Sequence, residues 1–388
     1  MIPSATTEMI ADAPALRALC DELGTETWFA LDTEFVREDT YWARLCLIQV
    51  ATDRRVACID PLALDDLAPL LGVLHDQNVT KVLHSAGQDL EIFHHLDGRV
   101  PAPVFDTQLA APLLGFGEQT GFARLVETLV GVELDKSQTR TDWLERPLPA
   151  AAVEYAANDV RYLVPLYHAM HTELAGRGRL DWVAAEMAAL SRPQRYERDT
   201  GEAWRRLKGV DRLPPGGRAV AQAIAAWREE TARARDIPRG RILRDDVIVD
   251  LAKTRPKTRR QLERIRGLRG GALERHGERL LALVAAAREA APPAPPGTER
   301  EPPLDAAGEA LVDALTAIVR LRAAREDLNP QTLAGRKELA RLARGTPIEE
   351  VLSGWRAAVI GTDLTEYLEG RSSLIAGSDG LRIELASD

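Results

Sequence analysis

Short apolar runs of strand length alternate with polar stretches through the first half of the chain. Trp28-Phe29-Ala30-Leu31, Leu45-Cys46-Leu47-Ile48-Gln49-Val50 and Val56-Ala57-Cys58-Ile59-Asp60 each predict a strand. The second and third are joined through the turn-like Thr52-Asp53-Arg54-Arg55, a link that suits an antiparallel meander. Lys81-Val82-Leu83-His84 predicts a further strand with a helix from Gln88 to Leu96 behind it. Val104-Phe105-Asp106 predicts one more short strand before an Ala- and Leu-rich helix. Strands and helices interleaved in this way predict an α/β domain built on a mixed sheet.

From about residue 150 the strand signals nearly vanish. Ala156, Val160, Leu163 and Tyr167 step by four, three and four, the spacing of a helix that buries one stripe. Pro165 is expected to kink or end the regular part of that helix. Further helices are predicted near 202–208, 218–233, 245–253 and 258–266, the last opened by Thr258 and Gln261 in a capping-box pattern. Ala290-Ala291-Pro292-Pro293-Ala294-Pro295-Pro296-Gly297 reads as a linker, because its prolines cannot continue a helix. Beyond Pro303 helices are predicted near 305–325, 331–343, 347–357 and 363–369. The domains expected are therefore 1–192 (α/β), 196–288 (all-α) and, after a Pro-rich linker at 289–303, 304–388 (all-α). The two helical blocks are similar in length, which suggests a duplicated module.

The length of 388 residues suits two or three domains, and 45% hydrophobic with 28% charged residues is the mix of a globular protein. No apolar run approaches the roughly 18–20 residues of a membrane-spanning helix. The first residues carry no basic cluster leading into an apolar stretch, so no secretory signal is expected and a cytoplasmic location is. Cys20, Cys46 and Cys58 lack metal-ligand spacing, which argues against a zinc site or a disulfide framework.

The net charge of −9 hides a strong asymmetry. Residues 1–195 carry 16 Lys+Arg against 29 Asp+Glu, a balance of −13, whereas residues 196–290 carry 23 against 14, a balance of +9. An acidic first half before a basic middle points to a cation-using site beside a polyanion-binding module. The basic middle is densest between Lys253 and Arg269, where Lys253, Arg255, Lys257, Arg259, Arg260, Arg264, Arg266 and Arg269 face Glu263 alone. Arg233, Arg235, Arg239, Arg241 and Arg244 precede it. Such a run either tracks a phosphate backbone or forms a solvated helix face. The first helical block lacks an evident aromatic-rich face, which favours backbone or structure recognition over base stacking.

Asp32-Thr33-Glu34 ends the first strand, and the period of two puts both carboxylates on one face. Paired carboxylates repel unless water or a cation lies between them, and an all-oxygen cluster suits Mg²⁺ or Mn²⁺. Asp89 follows the strand at 81–84 through Ser85-Ala86-Gly87-Gln88. Tyr155 and Asp159 stand at i, i+4 on one side of a helix. Each alone reads equally as a strand end, a helix-terminal acid or a hydrogen-bonded rim.

Together, Asp32-Thr33-Glu34-Phe35, Asp89 within His84-Ser-Ala-Gly-Gln-Asp-Leu-Glu91, and Tyr155-Ala-Ala-Asn-Asp159 resemble the three exonuclease motifs of the DEDD superfamily, in its tyrosine-bearing branch. The phrases Asp135-Lys-Ser-Gln-Thr-Arg-Thr-Asp-Trp143 and Glu154 to Tyr162 are similar to those of ribonuclease D. The resemblance is close over residues 20 to about 185 and continues more loosely through the helical blocks, which resemble HRDC domains. It implies a ribonuclease H-like fold and removal of 3′-terminal nucleotides from RNA, chiefly tRNA precursors, by two-metal hydrolysis. It further implies that Asp32 bridges two divalent ions, that Glu34 and Asp159 complete the first site, that Asp89 supports the second, and that Tyr155 orients the attacking water or helps to deprotonate it, orientation being favoured because a phenol with a pKa near 10 is a poor base.

The remaining candidates have two readings each. Gln49 and His84 either line the nucleotide groove or form buried strand-end hydrogen bonds. Phe35 either stacks on a terminal base or packs in the core. Asp106-Thr107 reads as a helix cap. Among the cations, Arg241, Arg244, Lys253, Arg255, Lys257, Arg259 and Arg260 are the RNA-binding candidates. No serine or cysteine nucleophile motif and no phosphate-binding Gly-rich loop is evident. RNA is the partner expected, with no protein partner inferred and a monomer anticipated. The alternatives are a DNA exonuclease and a catalytically silent RNA-binding protein.

Overall fold

The computed structural model describes residues 2–3, 5–134, 141–197, 199–268, 270–295, 302–378 and 380–386. It divides into two compact units: Met1–Glu34 with Leu45–Pro193 and Pro303–Asp388, and Phe35–Arg44 with Gln194–Pro302.

The first unit is built on six strands: β1 (Glu8–Ile10), β2 (Trp28–Val36), β3 (Arg44–Ala51), β4 (Val56–Ile59), β5 (Thr80–Leu83) and β6 (Val104–Asp106). Their spatial order is β1-β4-β3-β2-β5-β6. The meander expected between β3 and β4 is antiparallel, with Ile48 opposite Ile59 and Val50 opposite Ala57. The β1–β4, β2–β5 and β5–β6 pairs are parallel. The sheet is therefore mixed, as the alternation implied. The three-residue β1 is too short to show a pattern in sequence. Around the sheet lie α1 (Ala13–Leu23), α2 (Ala68–Leu74), α3 (Gly87–Asp97), α4 (Thr107–Ala110), α5 (Phe122–Val130), α6 (Ala150–Gly176) and α7 (Leu180–Leu190).

β2 and β5 are parallel neighbours with Ala30 opposite Val82. Their carboxyl ends therefore leave the sheet side by side, where a doubly wound sheet gathers ligands. α6 packs against β4, β5 and α5 through the predicted stripe, with Ala156, Val160, Leu163 and Tyr167 all buried. Pro165 does not end it: the helix runs through to Gly176 with Pro165 itself buried. A proline costs a helix interior about 3 kcal/mol. Eleven buried residues along this helix outweigh one lost hydrogen bond.

Lys81 of β5 is fully buried, and its ammonium donates to three carbonyls: Val79 at 2.7 Å, Ala102 at 2.6 Å and Asp76 at 3.0 Å. Burial pushes its pKa down from 10.5 to about 7. Above pH 7 the unfolded chain therefore holds a proton that the folded chain has released, so this residue's contribution to stability rises with pH toward 10.5. The unfolding free energy of wild type minus that of Lys81→Met, from urea titrations at pH 7, 8 and 9, is expected to increase. A flat or falling difference would show that the three carbonyls keep the amine charged.

The second unit contains α8 (Pro215–Arg235), α9 (Arg239–Ile242), α10 (Asp245–Thr254), α11 (Arg259–Leu262) and α12 (Gly271–Glu289), preceded by 3₁₀ turns over Thr200–Arg206 and Val210–Arg212. Trp204, Val220, Ile224, Ile248, Leu251, Leu262, Leu280 and Val284 form its core. The helices predicted from sequence stop at 266 and do not include α12.

Phe35–Arg44, which follows the Asp32-Thr33-Glu34 motif directly, also belongs to this unit. Tyr41 donates to Glu229 at 2.6 Å and accepts from Arg233 Nε at 3.1 Å. Asp236, in the left-handed conformation at the end of α8, accepts the N–H groups of Tyr41 and Trp42 at 3.0 Å each.

Residues 303–388 belong to the first unit. They form α13 (Ala306–Glu326), α14 (Pro330–Leu333), α15 (Arg336–Ala343), α16 (Ile348–Val351), α17 (Gly354–Arg356), a π turn over Ala357–Gly361, and α18 (Thr362–Leu368). Trp355 stacks on Trp182 of α7 with centroids 4.8 Å apart, and its indole N–H donates to Glu186 at 3.1 Å. Arg179, buried just before α7, donates to the carbonyls of Leu113 (2.7 Å) and Glu326. The helical reading of 304–388 holds to Leu368. It then gives way to an antiparallel hairpin of β7 (Ser372–Gly377) and β8 (Gly380–Leu385).

Candidate active site

Asp32 and Glu34 lie two residues apart on β2, and Asp159 reaches the same point from α6. Carboxylate oxygens of the three lie within 4.8 Å of one another, all partly exposed. Among the described residues no ion pair from Lys or Arg reaches them or Asp89. Burial, followed by repulsion from Asp159 and Asp89, pushes the Glu34 carboxyl up to about 8. Burial pushes Asp159 up to about 6. Asp32 is raised well above the usual carboxylate range by burial, then by Asp89, Asp159 and Glu34. A fold that gathers acids at such electrostatic cost without a protein cation fits a site completed by a metal, and hard oxygen donors suit a divalent ion of the Mg²⁺ class. Tyr155, one helical turn before Asp159, has its phenol raised above 10 by burial and then by Asp159, Glu34 and Asp32, so it stays protonated.

Asp89 is buried in the first turn of α3, outside that triplet. The Thr33 hydroxyl donates to it at 2.5 Å. Burial raises its carboxyl to about 6 against the lowering effect of that bond. The elbow that carries it is strained, because Ser85 sits at φ +62°, a conformation that L side chains avoid. Buried Asp106 holds the elbow: its carboxylate accepts the N–H groups of Ser85 (3.0 Å) and Ala86 (2.9 Å). The same side chain accepts Gln108 N–H at 2.8 Å and caps α4. The cap is legible in the sequence, but the clasp on the elbow joins residues twenty apart and is not. Thr33 likewise carries no signal of its own, although it stands inside the motif.

The other candidates separate. Gln49 is fully buried within β3, and neither amide atom has a hydrogen-bond partner among the described residues. It therefore lines no open groove, a correction to that reading, and its side chain makes no strand-end hydrogen bond among the described residues either. His84 is half-buried and lies 2.9 Å from Thr107 Oγ1, which itself donates to the Leu83 carbonyl at 3.1 Å. His84 Nδ1 is then the donor, an arrangement that favours the hydrogen-bonding role. Phe35 is half-buried at the end of β2. Arg241, Arg244, Lys253, Arg255, Lys257, Arg259 and Arg260 are all exposed in the second unit. Arg241 pairs with Asp39, Arg244 lies 3.5 Å from Asp246, and Lys253 and Arg259 lie 3.9 Å from Asp250 and Glu263. Arg255 stands at φ +47°, ending α10. Arg269 and the phrase 135–140 fall outside the described residues. Trp143, which ends the phrase that begins at Asp135, is buried, and Arg146 grips Asp60 with two bonds of 2.6 and 2.8 Å.

Residues 7–175 match the family model of the 3′-5′ exonuclease domain, and residues 217–284 match that of the HRDC domain. Ribonuclease D of Sphingobium indicum is 38% identical over 97% of this chain and 98% of its own length. The chain belongs to the ribonuclease D family. Ribonuclease D of Acidiphilium cryptum is 41% identical over 97% of this chain and 96% of its own. The crystal structure of Escherichia coli RNase D, described as an exoribonuclease involved in structured RNA processing, superposes with a TM-score of 0.79. It is 33% identical and covers 94% of this chain and 99% of that one. As a member of the family the chain is a hydrolytic 3′→5′ exoribonuclease that depends on divalent metal, with a ribonuclease H-like nuclease domain followed by a helical HRDC domain.

Proposed function

We propose that this exoribonuclease trims the 3′ ends of structured RNAs, chiefly tRNA precursors, releasing nucleoside 5′-monophosphates, and that Asp32, Glu34, Asp89 and Asp159 hold two divalent cations, Mg²⁺ or Mn²⁺. The observation that carries the reading is the convergence of Asp32, Glu34 and Asp159 within 4.8 Å, with no ion pair from Lys or Arg reaching them among the described residues. Bound there, divalent ions supply positive charge to the attacking and leaving oxygens of an in-line displacement. Asp32, Glu34 and Asp159 form one set of ligands, and Asp89, set back beside Thr33, supports the second position. Tyr155 keeps its proton, so it orients the water rather than deprotonating it. The water oxygen joins phosphorus, the bond from phosphorus to O3′ breaks, and the 3′ oxygen of the shortened RNA takes up a proton. The strained elbow, clasped by Asp106, fixes the start of α3, from which Asp89 meets Thr33 of β2.

The preference for structured RNA draws support from the described role of the E. coli relative and from the balance of +9 over residues 196–290. Digestion of a 3′-extended tRNA beside a matched single-stranded DNA, with and without EDTA, tests it. Metal-dependent release of mononucleotides from the RNA is expected. Equal digestion of the DNA would favour a general exonuclease, and loss of the body of the tRNA at the rate of its tail would remove the structured-RNA assignment.

The cations are tested within the full chain, because residues 303–388 pack with the nuclease and truncation after about residue 195 would strip part of its own unit. Exposed Lys253, Lys257 and Arg260, changed together to Gln, are expected to weaken binding of a tRNA-sized RNA. They should flatten the dependence of log affinity on log salt by up to about 0.9 for each phosphate no longer neutralised. Equal slopes in the variant and wild type would make these side chains a solvated face.

A further inference from the structure

Thr33 stands between Asp32 and Glu34 on β2, and the period of two turns its side chain to the face opposite theirs. Only 6% of its surface is exposed. A buried hydroxyl needs a partner, and this one finds it on another element: it donates to Asp89 Oδ1 of α3 at 2.5 Å. Among the described residues no other side chain makes a hydrogen bond to Asp89. Asp89 is therefore fixed at two levels. Asp106 holds the backbone elbow from which α3 starts, through the N–H groups of Ser85 and Ala86. A clasp on those backbone groups does not set the side-chain torsions of Asp89.

The Thr33 hydroxyl does. By engaging one oxygen of the carboxylate it selects the rotamer of Asp89 and the plane of the carboxyl group. It acts from a point flanked on both sides by acids of the triplet, so any slide of α3 against β2 would stretch the bond toward the limit of hydrogen-bonding reach. The stretch of chain that presents Asp32 and Glu34 thus also ties Asp89 to them. We propose that Thr33 is a positioning residue of the metal site, whose hydroxyl holds the Asp89 carboxylate in the orientation that completes the second cation position. The proposal rests on the reading that Asp89 supports a divalent ion. A group that holds a metal ligand from behind typically sets metal affinity by about 10- to 100-fold. The ion supported by Asp89 should therefore respond to Thr33, and the ion held by Asp32, Glu34 and Asp159 far less.

Thr33→Val keeps the branched shape that suits a strand and removes the donor, whereas Thr33→Ser keeps the donor. Calorimetric titration of the metal-free full chain with Mn²⁺, in the presence of an oligoribonucleotide with a non-hydrolysable terminal linkage, reads binding without turnover. Two binding events are expected in the wild type. The weaker one should lose about 10-fold or more in affinity in Thr33→Val, stay close to wild type in Thr33→Ser and vanish in Asp89→Asn. The Mg²⁺ concentration that half-saturates RNA hydrolysis should rise by the same factor in Thr33→Val, while kcat at saturating Mg²⁺ and the Kd for RNA stay close to wild type. Melting in EDTA confirms that each variant is folded. A hydroxyl with a merely structural role would lower that melting temperature in Thr33→Val and leave the Mn²⁺ titration unchanged, which would overturn the proposal. Failure of Thr33→Ser to keep the weaker event would overturn it as well. A single Mn²⁺ event in the wild type, or full Mn²⁺ binding by Asp89→Asn, would instead remove Asp89 from the ligands, and the role of Thr33 with it.

Discussion

Asp159→Asn is expected to lower RNA hydrolysis by about 10³-fold or more, the scale on which loss of one preorganised electrostatic group acts. Asparagine keeps the shape of the side chain and one oxygen but removes the charge from the triplet with Asp32 and Glu34. The same change is expected to raise the melting temperature of the metal-free protein. Glu34 is pushed up to about 8 in part by Asp159, and Asp32 is raised by it as well, so removing the charge relieves a repulsion the fold sustains. Added Mg²⁺ should stabilise the wild type, because binding to the folded state alone shifts the equilibrium toward it, and should stabilise the variant far less. Calorimetric scans with EDTA and with Mg²⁺, beside single-turnover hydrolysis of a 3′-tailed RNA, provide both readings. Near-normal hydrolysis, or a metal-induced rise equal to that of the wild type, would remove Asp159 from the set of ligands.

Tyr155→Phe is the second large effect. The ring keeps its place on α6 and only the hydroxyl is lost. Because burial, and then the surrounding acids, hold the phenol above its ordinary pKa, its service is a hydrogen bond and not proton abstraction. A fall in kcat of about 10²-fold with an unchanged Kd for RNA is expected, the usual weight of one positioned group in proton-transfer chemistry. Since the hydroxyl titrates outside the working range, the pH profile of the residual activity should keep its shape. A variant that loses only thermal stability would make Tyr155 a packing residue.

The acids are legible because their spacing is dictated by local geometry. A period of two on β2 sets Asp32 and Glu34 on one face, and a step of four on α6 sets Tyr155 beside Asp159; both regularities survive whatever the rest of the chain does. Strand signals at 28–31, 45–50, 56–60, 81–84 and 104–106 are equally local, and each became a strand of the mixed sheet. Thr33 donating to Asp89 and Asp106 clasping Ser85 and Ala86 are not legible, since each joins separate elements and depends on parallel neighbours leaving the sheet together. Gln49 illustrates the converse: its polar character suggests a groove, but its register on the interior strand β3 buries it.

Charge balance and local spacing alone determined the acidic and basic division of the chain and the pairing of Asp32 with Glu34 and of Tyr155 with Asp159, because charge and periodicity are properties of the sequence itself, whereas the nuclease class rested on the resemblance of three motifs to a known family. Tertiary structure alone decided which compact unit each segment joined. Tyr41 follows the first motif by a few residues, yet it is held by Glu229, Arg233 and Asp236. Trp355 lies beyond a Pro-rich linker, yet it stacks on Trp182. Nothing in either neighbourhood announces its partner. Such long-range pairings are selected by complementary apolar surfaces and buried hydrogen bonds that come into being only when the whole chain has packed.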